Sequence, residues 1–122
     1  MNILIIVGTL LLVALIIFSV QGRREAQARA KAFLSLNPTL IDVRSPAEYQ
    51  AGHIPGAINI PVDTLQSKVG ELGDKGQPIG LYCQSGARAG VAELTLIASG
   101  FTKVMNLRGI GTLRAALKES GN

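Results

Sequence analysis

A chain of 122 residues, with 12 Lys and Arg against 8 Asp and Glu, has room for one domain and little else. The positive surplus is local: residues 1–22 carry no formal charge, residues 23–31 hold Arg23, Arg24, Arg29 and Lys31 against Glu25, and residues 32–122 balance eight basic with seven acidic side chains. The basic surplus belongs to one short segment and not to a folded surface, which argues against nucleic acid as the main partner, and a single cysteine excludes an internal disulfide, a CxxC pair and an all-thiolate metal site.

Ile3 to Val20 is an 18-residue run broken only by Gly8, Thr9 and Ser19. As a helix it reaches roughly 27 Å, close to the hydrocarbon thickness of a bilayer, and is expected to bind membrane lipid as an anchor over residues 1–22. A cleaved signal peptide, releasing a periplasmic domain, is the alternative. It would have a charged n-region and a shorter apolar core, and the segment Ala26-Gln27-Ala28, which resembles a cleavage site, follows two arginines. The arginines lie C-terminal to the run, so the expectation is a single-pass inner-membrane protein with its domain in the cytoplasm. Residues 23–32 have helix-forming composition and should continue the helix as a basic juxtamembrane linker, attracted to anionic headgroups.

Residues 33–122 are expected to form the folded domain, and from Asn37 the pattern changes from helical to α/β. Thr39–Val43 reads as a buried strand after Asn37-Pro38, and Ser45-Pro46-Ala47-Glu48 as a helix start: Ser45 as N-cap, Pro46 in the first turn, Glu48 closing a capping box. This helix ends at Ala51-Gly52. His53–Ala57 is a turn, Ile58–Ile60 a second strand, and residues 61–72 are expected to form a helix through Leu65, Val69 and Leu72. After the Gly73–Pro78 loop, Ile79–Tyr82 is a central strand running into Cys83. A helix is expected over residues 88–99 with Val91, Leu94, Thr95 and Ala98 among its apolar positions, then a strand Val104–Leu107 and a last helix over 111–119. Alternating strands and helices imply a small parallel sheet with helices on both faces.

A lone cysteine is usually a small buried hydrophobe, but the setting of Cys83 points elsewhere. It stands at the carboxyl end of a parallel strand, where open α/β sheets place ligands. The loop Gln84-Ser85-Gly86-Ala87-Arg88 leads into a helix, so its backbone N–H groups can converge on the sulfur. A thiolate held there has a depressed pKa and is nucleophilic near neutral pH. Gly86 permits the tight curl, and Arg88 adds a permanent charge at the rim.

The stretch from Leu40 to Pro61 (LIDVRSPAEYQAGHIPGAINIP), followed by a loop with Cys83 at one end and Arg88 at the other, resembles the rhodanese family over residues 33 to 119. The resemblance implies a rhodanese-like α/β fold and a sulfurtransferase in which Cys83 takes a sulfane sulfur as a persulfide. The donor would be a small molecule or protein, and the acceptor a thiol or cyanide. It implies that the amides of Gln84, Ser85, Gly86, Ala87 and Arg88 cradle the outer sulfur, while Asp42, Arg44, Glu48 and His53 hold the framework. The chain departs from the family in its last signature: Gly109-Ile110-Gly111 stands where adjacent glycines are usual, and there is no Trp. The loop carries no second cation beside Cys83, so a persulfide donor competes with dianionic thiosulfate as the expectation.

Two other readings fit parts of the pattern. Phosphatases of the cell-cycle type have one residue more between cysteine and arginine than the four here, and a shorter ring suits one sulfur atom better than a phosphate. A non-catalytic rhodanese-like module that senses or scaffolds at the membrane often lacks the cysteine, which this chain keeps. With one His, one Cys and scattered carboxylates, neither a metal nor a cofactor is expected. Lacking a second cysteine, the persulfide must pass to an external acceptor, with ping-pong kinetics.

Overall fold

The computed structural model describes residues 2–119, which divide after Ala30 into two units. The first unit belongs to helix α1 (Ile3–Leu34), long and apolar enough to cross a membrane. Its residues from Ile3 to Val20 are apolar on all sides and exposed in the isolated chain. The helix runs unbroken through the basic stretch. It stops where Asn37 takes a left-handed conformation (φ 55°) and donates to the Leu34 carbonyl, one residue before Pro38.

The second unit is a four-stranded, wholly parallel sheet in the order β2-β1-β3-β4. Its strands are β1 (Thr39–Asp42), β2 (Ile58–Asn59), β3 (Ile79–Cys83) and β4 (Val104–Gly109). All five residues of β3 are buried, as a central parallel strand requires. Side chains alternate between the two faces. Ile79, Leu81 and Cys83 join Ile41, Val43, Leu65, Ala89, Ala92 and Leu96 in one core layer, beneath α3 (Leu65–Lys68) and α4 (Ala87–Ala98). On the opposite face the Ile54 amide donates to the Tyr82 hydroxyl at 3.0 Å, and α5 (Ile110–Glu119) packs on β3 and β4 through buried Ile110 and Leu113.

Helix α2 (Pro46–Ala51) carries the expected capping box, with both the Ser45 side chain and the Glu48 carboxylate bonded to backbone amides. The expected helix over 61–72 is shorter. Residues 61–64 form a turn in which Thr64 donates twice to the Pro61 carbonyl, α3 spans only Leu65–Lys68, and Val69–Glu71, with Gly70 at its centre, tightens into a 3-10 turn ahead of Gly73. The expected apolar face of α4 is also wrong. Val91, Leu94 and Ala98 are exposed and Thr95 is half-buried, while Ala89, Ala92 and Leu96 face the sheet. Small alanines let the helix approach β3 closely, so its core face is not its most hydrophobic one. Strand β4 runs two residues beyond its expected end, to Gly109.

Candidate active site at the carboxyl end of the sheet

Cys83 closes β3 and is buried, with its sulfur turned into the loop that follows. Gly86 turns that loop by adopting φ 104°, and its N–H donates to the Cys83 Sγ at 2.9 Å. Burial pushes the thiol pKa up. The N–H groups of Ala89, Gly86, Ser85 and Arg88 outweigh that push and bring it below its ordinary value. The sulfur thus sits against the N-terminus of α4, where amides without intrahelical partners favour negative charge. Ala89, the third residue of α4 and absent from the sequence-derived set, is among the groups that lower it. Arg44 Nη1 lies 3.5 Å from the Gln84 Oε1, and Ala87 is the exposed first residue of α4.

Two ion pairs brace the loop. Arg88 makes a bidentate contact with Glu48, Nη1 to Oε1 at 2.7 Å and Nη2 to Oε2 at 3.0 Å. Arg88 together with the Ser45 amide holds the Glu48 carboxyl down at about 2. One carboxylate therefore caps α2 and ties it to the cysteine loop. The second pair is buried: Arg44 binds Asp42 through Nε and Nη2 at 2.8–3.1 Å, donates from Nη2 to the Gly52 carbonyl at 2.6 Å, and lies 5.9 Å over the Tyr82 ring. Asp42 raises the Arg44 pKa further, so the guanidinium stays charged. Burial beside Asp42 pushes the Tyr82 phenol up to about 12.

His53 stacks on Tyr49, ring centroids 3.7 Å apart, and its Nδ1 is 2.8 Å from the Tyr49 carbonyl. Tyr49 in turn donates to the Ala57 carbonyl, so His53 belongs to the α2–β2 connection. Asn59 donates to the Asp42 and Arg44 carbonyls at 2.9 and 3.0 Å, fixing the end of β1.

The end of β4 supplies contacts that sequence reasoning missed. Asn106 donates to the Gly86 carbonyl at 3.0 Å and accepts from the Arg108 amide at 2.8 Å, which holds Arg108 at φ 71°. Gly109 lies opposite Cys83 across the sheet, and a Cβ there would come within 2.5 Å of the Gln84 carbonyl oxygen. Among the described residues no group of three or more His, Cys, Asp or Glu is placed to hold a metal ion.

A parallel sheet with a cysteine-bearing loop, cradled by amides at its carboxyl edge, defines a class that comparison with known proteins makes specific. The Rhodanese-like domain family matches residues 22–109, and the chain belongs to that family. It is 38% identical over 71 residues to thiosulfate sulfurtransferase PspE of Escherichia coli K12, covering 57% of this chain and 68% of that protein. It is 46% identical over 70 residues to uncharacterized protein YqhL of Bacillus subtilis, covering 57% of this chain but only 55% of the relative. A solved rhodanese with anions from E. coli aligns at a TM-score of 0.59 and 36% identity, covering 62% of this chain and 89% of that one.

Proposed function

We propose that the chain is a membrane-anchored sulfurtransferase that carries one sulfane sulfur as a persulfide on Cys83. The observation that supports this best is the Cys83 Sγ held at 2.9 Å by the Gly86 amide, within a loop whose donors outweigh burial and favour the thiolate. With thiosulfate, the thiolate attacks the outer sulfur. The S–S bond of the donor breaks, its electron pair leaves on sulfite, and the new persulfide keeps the negative charge within the amide ring. An acceptor thiolate or cyanide then attacks that outer sulfur and returns Cys83 as the thiolate. No separate base is required, because the attacking group is already ionised. Cys83 is only 1% exposed, which suits end-on delivery of a single terminal sulfur and disfavours a tetrahedral phosphate.

The anchor is α1 and the domain faces the cytoplasm, because Arg23, Arg24, Arg29 and Lys31 follow the apolar run. A C-terminal reporter active only in the periplasm should stay silent; a signal from it reverses the orientation.

Incubation with thiosulfate followed by intact mass tests the chemistry. The expected result is a gain of one sulfur atom that cyanide removes and that Cys83→Ser abolishes. No gain with thiosulfate or with a persulfide donor supports a non-catalytic binding module instead.

A further inference from the structure

Three arginines surround the cysteine loop, and they are not equivalent. Arg44 is neutralised by Asp42 and Arg88 by Glu48. Arg108 is exposed, and among the described residues its guanidinium has no ion-pair or hydrogen-bond partner. Its backbone is nevertheless fixed. The backbone is held at φ 71° by Asn106, the same side chain that holds the Gly86 carbonyl, and the next residue, Gly109, is paired with Cys83. The Arg108 side chain lies along Gly86, with its Cα and Cδ each 3.4 Å from where a Gly86 Cβ would stand. The stem of Arg108 therefore runs beside Gly86, the residue whose amide touches the sulfur, with the guanidinium following directly after Cδ.

We infer that Arg108 is the anion-selecting residue of this site: it binds the oxyanion end of a small thiosulfate-class donor while the sulfane sulfur enters the loop. The inference rests on the sulfur-transfer reading and extends it. The cysteine loop has no second cation of its own, and β4 supplies the missing charge from across the sheet. A planar guanidinium suits a sulfonate group, to which it can donate two parallel hydrogen bonds. The leaving sulfite keeps its oxyanion on the same residue as the S–S bond breaks.

The test uses the full-length chain in detergent and two kinds of readout. Cys83 is alkylated with iodoacetate, an anion, and with iodoacetamide, a neutral reagent of similar size; separately, KM and kcat are measured for thiosulfate. Arg108→Gln keeps most of the length and removes the charge, and Arg108→Asn suits the left-handed backbone. For both, the iodoacetate-to-iodoacetamide rate ratio should fall roughly fivefold and KM for thiosulfate rise about five- to tenfold, with kcat little changed, and added salt should shrink both effects. Arg108→Lys should keep most of the wild-type ratio. An unchanged ratio in both neutral variants overturns the assignment, as does an equal loss with both reagents, which would mean that Arg108 only supports the loop. If the wild-type chain takes no sulfur while the ratio still falls in the variants, the sulfur-transfer reading fails and the anion site stands.

Discussion

At the scale of single residues, the two ion pairs beside the loop differ in kind because they differ in burial. Asp42 and Arg44 are both almost fully enclosed, so each is tolerable only because of the other. Arg44→Met should cost about 3–5 kcal/mol in denaturant unfolding, since it leaves Asp42 charged and unpaired in the interior; a loss below about 1 kcal/mol would show that water replaces the guanidinium. Glu48 and Arg88 are partly exposed and work by position. Glu48 has a folded-state pKa of about 2 against an ordinary value of 4.5, so the folded state releases this proton more readily than the unfolded one. Its stabilising contribution is complete above pH 4.5 and is lost as pH falls toward 2. The stability difference between wild type and Glu48→Gln should therefore be constant near neutrality and shrink through that acid window. A difference that stays flat down to pH 2 would mean that the pair contributes nothing to the titration.

At the scale of elements, the site is a loop pinned from three sides: by α2 through Glu48, by α4 through its first amides, and by β4 through Asn106 and Gly109. The third of these is the most exacting, because Gly109 faces main chain, which cannot step aside as a flexible side chain can. Gly109→Ala should displace the Gln84 peptide, slow alkylation of Cys83 at least tenfold, and leave the far-UV circular dichroism of the domain near wild type, an effect of about 1.4 kcal/mol or more on reactivity. Unchanged reactivity would show that the cradle does not depend on β4. This support was also the least legible part of the sequence. The strand-cysteine-loop-helix order and the Ser45–Glu48 capping box could be read because each is local, set by residues a few positions apart. The contact between Asn106 and Gly86 joins residues 20 positions apart, and nothing near either one announces it. The face of α4 was misread for a related reason: Ala89 and Ala92 face the sheet because they are small, whereas periodicity counts hydrophobicity and pointed to Val91 and Leu94.

At the scale of the whole molecule, an α/β domain that sets one sulfur against a ring of amides follows a helix that is apolar on every side from Ile3 to Val20. The length and composition of that apolar run match the hydrocarbon of a bilayer. The full chain should stay with membranes through a high-salt wash, and the double variant Leu11→Arg, Leu15→Arg should release it, because each arginine near the centre of a span costs roughly 2.5–3.5 kcal/mol. Recovery of a shorter chain lacking the helix would instead mark it as a cleaved signal. The chemistry stands or falls with the charge state of the sulfur. The pH dependence of Cys83 alkylation by iodoacetamide measures that state directly, since only the thiolate reacts. We expect a single inflection clearly below the ordinary thiol range, abolished in Cys83→Ser; an inflection at or above that range would contradict the account.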